Sequence, residues 1–270
     1  MRIGKQDDGY TSICTSDAHS ITVRGLDLTN EIIGHLDFTH YFWLLVTGEA
    51  PTETQKFFAN AVLCAIAEHG LVPSVAVARM TMAAAPEAFQ GAVAAGLLGC
   101  GSVVLGSAEA TGKFLSSQIK LAEQDDISFA EAARMGVASL RAGKQAIPGF
   151  GHPQHSAGDP RALRLLSLAQ EHGIEGKYIR MLYAVRDVLP DVLGRPLPIN
   201  VNGAIPAVML DAGYPLDALK GVSLLARTAS LIGHLQEEAE RPIGFMMGSS
   251  RHDPWGDCND DRHSESKFDR

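Results

Sequence analysis

The sequence predicts an all-α protein, and three observations carry the prediction. Apolar residues recur at helical spacing along most of the chain, alternating runs of β-branched and aromatic residues are nearly absent, and capping residues and Gly/Pro stops punctuate the periodic segments. With 46% hydrophobic and 20% charged residues, the 270-residue chain has ample apolar material for one large or two small packed domains.

The first clear helix opens at Asp37, runs through HYFWLLVTG and stops at Gly48 ahead of Pro51. Thr52 caps a second, with Glu53 and Thr54 in its first turn; Phe58, Val62, Ala65 and Ile66 share one face and Gly70 ends it. Pro73-Ser74 starts a third. From Ala88 to Ala108 no residue is charged, which is long enough to span a membrane, but five glycines, Gln90 and many alanines make it weakly hydropathic. It reads instead as a close-packed internal helix, with Gly91, Ala95 and Gly99 admitting neighbouring backbones and a break near Gly99, Gly101 and Gly106. Asp126 to Gly143 is the next helix, with Ser128 and Glu131 as a capping box.

Between Gln145 and Pro160 regular helix is excluded by Pro148, Gly149, Gly151, Pro153, Gly158 and Pro160. A Gly/Pro loop of this length in a compact protein is usually functional. Helices resume at 161–171, 175–188, 202–212 and 216–240, and a polar tail without periodicity follows from Ser249.

Several function classes drop out early. The net charge is −8, the pI is about 5.7, and no basic cluster tracks a phosphate backbone, so nucleic acid is not an expected partner. Cys14, Cys64, Cys100 and Cys258 lie far apart, and the N-terminus lacks a charged-then-apolar leader, which points to a cytoplasmic protein off the membrane. P-loop, G-x-G-x-x-G after a strand, and H-E-x-x-H are missing. His252, Cys258, Asp260 and His263 in the tail fit no established metal spacing, so no metal site is expected.

The richest segment is IPGFGHPQHSAGDPRA, residues 147–162. Glycines flanking Phe150 permit a sharp backbone path that delivers His152, and Asp159-Pro160-Arg161 opens the following helix. This stretch resembles the G-F-G-H…D-P-R-A loop of the citrate synthase superfamily. Four further segments match in order: AEHGLVPSVAVAR at 67–79, NVNGA at 200–204, ARTASLIGHLQEE at 226–238 and ERPIGFMMG from Glu240. With the LLVTGEAPT helix end, the resemblance covers roughly residues 20–245.

The resemblance implies an all-α fold with an active cleft between a large domain (1–112 and 220–248) and a small one (113–219) that carries the loop. It places His69 and His152 at substrate histidines, and Arg79 and Arg227 at positions facing the carboxylates. Arg241 would reach across a homodimer interface. Ile147, Gly149, Phe150, Gly151 and Arg161 border coenzyme A. A guanidinium fork meets a carboxylate bidentately, which suits Arg227 and Arg241 to a tricarboxylate. On charge alone, the same arginines would pair with Glu237, Glu238 or Glu240, and His69 would serve beside Gly70 as a helix-end residue.

Two departures narrow the choice within the superfamily. Citrate synthases carry H-G-G-A-N, with a histidine that polarises acetyl-CoA, where this chain has Leu105-Gly106-Ser107-Ala108-Glu109. The apolar residue and the short chain resemble citryl-CoA lyases and the lyase module of ATP-citrate lyase. The family's catalytic aspartate is Asn202 here, and an amide neither takes nor gives a proton at accessible pH. Asn202 can still donate a hydrogen bond to a thioester oxygen, a role worth on the order of 3 kcal/mol. The base would then be His152, His69 or Glu109, the last of which also reads as a solvated helix charge.

The expected activity is cleavage of citryl-CoA, or a related 3-hydroxy-3-carboxyl acyl-CoA, to an acyl-CoA and a 2-oxo acid, with the CoA thioester as substrate and no tightly bound cofactor. Alternatives are a condensing enzyme acting on another acyl-CoA and a catalytically silent protein that binds CoA and carboxylates.

Overall fold

The computed structural model describes residues 11–101, 105–151 and 158–248. Helices dominate, as the periodicity predicts, and fall into two compact units: the described parts of Met1–His69 with Cys100–Ala229, and of Gly70–Gly99 with Ser230–Arg270.

The first unit opens with a feature the hydrophobic period did not announce, a three-stranded antiparallel sheet of β1 (Cys14–Ser16), β2 (Ile21–Val23) and β3 (Leu26–Asp27). Strands of two or three residues are too short to show a period. What fixes them is turn chemistry: Asp17 accepts from the His19 and Ser20 N–H groups, and Arg24 and Gly25 both hold positive φ, as a tight hairpin requires. The Arg24 guanidinium donates to the Leu45 carbonyl near the C-terminal end of α1 (Phe38–Thr47), fastening the sheet to the helices.

Asp37 caps α1 through the His40 N–H, and Gly48 ends it at φ +81. In α2 (Glu53–Ala67) Thr52 and Gln55 form a capping box. The helix stops at Ala67, three residues short of Gly70, and buries Phe58, Ala59, Val62 and Ile66. The unit continues with α5 (Ser107–Asp125), α6 (Phe129–Ala142), α7 (Pro160–Glu171), α8 (Lys177–Leu193), α9 (Val201–Asp211) and the first turns of α10 (Leu219–Glu240). Ser128 and Glu131 cap α6 as predicted. Asp211 receives the Tyr178 and Ile179 N–H groups at the start of α8, so the end of α9 caps its neighbour. Every residue from Gly203 to Leu210 is buried, so α9 is apolar all round and forms the axis of this core.

The second unit comprises α3 (Pro73–Ala84), α4 (Phe89–Leu98), the last turns of α10 and α11 (Gly244–Gly248), around Val75, Ala78, Ala92, Leu231 and Leu235. Close approach occurs at Gly96, where a Cβ would lie 2.8 Å from both Leu231 Cδ1 and the Ser74 carbonyl oxygen. The buried small stripe is therefore Ala92 and Gly96, not the expected Gly91, Ala95 and Gly99. Small residues fill so many consecutive positions of α4 that periodicity alone could not choose its inner face. The uncharged stretch divides between α4 and α5, and no described helix is long and apolar enough to cross a membrane.

Candidate active site

The loop of residues 147–151 is strapped onto the segment that opens α9. Gly151 N–H donates to the Pro198 carbonyl at 2.8 Å, Asn200 N–H to the Gly149 carbonyl at 3.0 Å, and Phe150 bridges Ile199 in antiparallel fashion. Asn200 Nδ2 closes the strap on the Gly151 carbonyl at 2.7 Å. Asn200 precedes α9 but does not cap it with its side chain.

Glycine is required at both contact points. Gly149 holds φ +86, and a Cβ there would lie 2.8 Å from Thr111 Cγ2 and 2.9 Å from Gly203 Cα. A Cβ on Gly203 would run into the Gly149 carbonyl oxygen. Thr111 belongs to α5, one short step beyond Glu109, so the loop and the first turn of α9 pack backbone against backbone while a side chain from the first turns of α5 closes on the loop. Of the residues singled out in the sequence, this brings Gly149, Phe150, Gly151, Glu109 and Asn202 onto adjoining segments. Within the loop, Ile147 and Phe150 are buried.

Asn202 is half-buried at the second position of α9, where helix N–H groups give a positive end to the dipole. Four residues on, Pro206 has no N–H to give the Asn202 carbonyl, so the intrahelical bond that would satisfy that oxygen is missing. Glu109 accepts from Lys113 Nζ at 2.6 Å across one helical turn. Leu105, in the turn before α5, holds φ +67. A left-handed conformation costs an L-residue roughly 1–2 kcal/mol, and such strain concentrates at functional turns.

A residue that the sequence marked only as a helix start holds the strap from below. Asp159 is fully buried, accepts Val201 N–H at 2.8 Å, and takes the Arg161 fork at 3.0 Å (Nε) and 2.9 Å (Nη2). Burial pushes its carboxyl up, but Arg161 and the Val201 and Arg161 N–H groups outweigh that and hold it below the ordinary carboxylate range. The D-P-R order advertised a helix start; the tie to α9 is a tertiary contact that no local signal encodes.

Beside the strap lies a cavity of about 410 Å³ walled by Leu163, Leu166, Tyr183, Arg186, Pro198 and Ile199, among others. The Arg186 guanidinium stands 4.7 Å from the centre of the Tyr183 ring. A second cavity, about 360 Å³ between Asp37, Lys56 and Phe57, contains none of the predicted residues.

The remaining candidates are placed separately. His69 lies exposed in the turn after α2, its N–H on Glu68 Oε1, and Arg227 is buried on α10 in the first unit. In the second unit Arg79 is buried and donates to Glu238 at 2.7 Å, to Glu237 at 2.9 Å and to the Arg241 carbonyl at 3.2 Å. Arg241 pairs with Glu237 at 2.8 Å and projects its side chain 76% exposed. His152 lies outside the described residues, as do His252, Cys258, Asp260 and His263. Among the described residues no group of His, Cys, Asp and Glu is placed to hold a metal ion.

The first unit is thus a helical core in which a Gly-rich loop is strapped to the start of a buried helix. Residues 35–244 match the citrate synthase C-terminal domain family, and the chain belongs to that family. Among solved structures it is similar to citryl-CoA lyase from Hydrogenobacter thermophilus, with 27% identity and a TM-score of 0.79 over 100% of this chain and 96% of that one. ATP citrate lyase from Methanothrix soehngenii, in complex with citrate and coenzyme A, shares the fold at 20% identity and TM-score 0.72, over 88% of this chain and 40% of that one. Citrate synthase 2 of Bacillus subtilis (strain 168) is 25% identical over 200 residues, 73% of this chain and 51% of that protein, so the chain spans about half the length of that curated relative.

Proposed function

We propose that the protein cleaves citryl-CoA, or a closely related 3-hydroxy-3-carboxyl acyl-CoA, into an acyl-CoA thioester and a 2-oxo acid. The observation that carries this reading is the likeness to a citryl-CoA lyase along the whole of this chain and 96% of that one. Leu105 supports it, because an apolar residue replaces the histidine a condensing enzyme would use on the thioester.

Cleavage needs three things: a base for the tertiary hydroxyl proton, rupture of the C–C bond, and stabilisation of the thioester enolate until it is protonated. Asn202, at the positive end of α9, is suited to donate to the thioester oxygen as charge develops. We assign the base to His152, since the carbonyl of the preceding residue is anchored by Asn200 beside the start of α9. Glu109, already engaged by Lys113, and His69 remain the alternatives. Arg227 and Arg241 supply the permanent cations for the carboxylates, and Ile147 to Gly151, with Arg161 behind them, form the CoA-facing edge. The cavity beside Tyr183 and Arg186 is large enough for part of the CoA moiety. The proposal keeps residues 113–219 as the smaller domain that carries the loop and 1–112 with 220–248 as the larger, and takes a cytoplasmic homodimer as the working form.

Incubation with citryl-CoA, with oxaloacetate followed through a coupled NADH-dependent dehydrogenase, tests the reading; oxaloacetate should appear in proportion to enzyme. Asn202 also favours a second reading, a silent protein that binds CoA and carboxylates. Thermal stabilisation by CoA or citrate without turnover of citryl-CoA or longer acyl analogues would establish it, and net citrate formation from acetyl-CoA and oxaloacetate would mark a condensing enzyme.

A further inference from the structure

We infer that Arg79 and Glu238 form a buried positioning pair that sets Arg241 for substrate, an inference that rests on the proposed role of Arg241 in carboxylate binding. Both partners are buried, at 2% and 3% exposure, which is unusual for charges unless they pair. The Arg79 guanidinium uses all three nitrogens: Nε to Glu238 at 2.7 Å, Nη1 to Glu237 at 2.9 Å, and Nη2 to the Arg241 carbonyl at 3.2 Å. Glu238 in turn accepts from Ile243 N–H at 3.0 Å and Gly244 N–H at 2.7 Å.

The residues fastened in this way, 241, 243 and 244, bracket the turn by which the chain leaves α10 and enters α11. The turn comes so close to its neighbours at Gly244 that a Cβ there would meet Ala83 Cβ, the Arg79 carbonyl oxygen and Glu238 Oε1. The turn is thus pressed against α3, while the Arg241 side chain stands out at 76% exposure on Glu237. An exposed, flexible arginine loses considerable entropy on engaging an anion, and fixing its backbone reduces that loss. Burial disfavours the charge on each partner, yet Arg79 is held above and Glu238 below its ordinary range, so both remain charged across neutral pH. With its guanidinium buried and three of its five N–H donors given to protein oxygens, Arg79 acts on substrate through Arg241.

The test is a double-mutant cycle on the complete chain, with citrate affinity read by calorimetry and KM and kcat read with citryl-CoA. Arg79→Lys keeps the charge but cannot reproduce the three-way fork. We expect citrate affinity to fall roughly 5- to 20-fold and KM to rise with little change in kcat, whereas in an Arg241→Ala background Arg79→Lys should add less than about twofold. Glu238→Gln, which retains an acceptor for one N–H, should show the same dependence and faster amide hydrogen exchange at residues 241, 243 and 244. Additive losses in the two backgrounds, or unchanged exchange at 241, 243 and 244 in folded variants, would overturn the positioning role. If the wild type binds no citrate and turns over no citryl-CoA, the functional reading fails; the exchange data alone then decide whether the pair holds the turn. Should Arg79→Lys not fold, Glu238→Gln carries the same cycle.

Discussion

The sharpest chemical question sits on one side chain, Asn202. If its amide donates to the developing enolate oxygen, Asn202→Asp places a carboxylate where negative charge accumulates. Loss of a donor of this kind typically costs about 10²–10³ in rate, so kcat on citryl-CoA should drop by about that factor with citrate affinity retained. A rise in kcat would mean instead that the amide had silenced an otherwise intact scaffold. Asp159 gives a second residue-level expectation. Its carboxyl is held below the ordinary range in the fold, so the folded state binds fewer protons than the unfolded chain as acid is added. The stability this contributes is fully present above the unfolded value of 3.8 and is lost as pH falls through the lower folded value. Asp159→Asn should therefore destabilise the protein by about 3–5 kcal/mol at neutral pH, since it strands a part-buried guanidinium. It should also flatten the acid limb of a stability-pH curve followed by urea unfolding.

At the scale of elements, what was legible in the sequence is what local chemistry determines. Asp37, Thr52, Ser128 and Asp159 all cap the helices they were positioned to cap, because a cap needs only a side chain and an N–H two or three residues away. The Gly/Pro loop stood out for a similar reason, as regular structure is locally impossible there. The inner face of α4, the small N-terminal sheet and the reach of Asp159 to Val201 were not legible, since each depends on which distant segment packs alongside. Arg79 shows the same limit: the motif marked it as a residue of interest, but only the fold reveals that its fork faces Glu238, Glu237 and the Arg241 carbonyl. The strap between loop and α9 yields an element-level prediction. Gly149→Ala places a Cβ into Thr111 and Gly203 at a φ of +86, so it should lower stability by more than about 1 kcal/mol. It should also weaken CoA binding in calorimetry out of proportion to citrate binding. Equal loss for both ligands would detach the strap from the CoA edge.

For the whole molecule, the proposal requires two copies of the chain to make one complete site. The second unit leaves Val77, Met80, Leu98, Phe245 and Met246 exposed, Leu98 at 87% and Phe245 at 73%. Apolar side chains gathered on one small unit favour burial against a partner, and a twofold dimer is the commonest way to achieve it. Arg241, exposed on the same unit, is the residue assigned to the neighbouring site, whereas His152 serves its own. That division makes complementation decisive. His152→Ala and Arg241→Ala should each be nearly inactive as homodimers. In a mixed dimer one site carries both lesions, but the other pairs an intact histidine from one chain with an intact arginine from its partner. Random exchange of equal amounts places about half the molecules in mixed dimers. With one of two sites restored in each, activity should recover to about a quarter of the wild-type value. Recovery should appear only under conditions that let subunits exchange, and sedimentation should show the dimer persisting at assay concentrations. If mixing restores nothing although labelled chains demonstrably exchange, Arg241 acts within its own subunit, and the site is complete in a single chain.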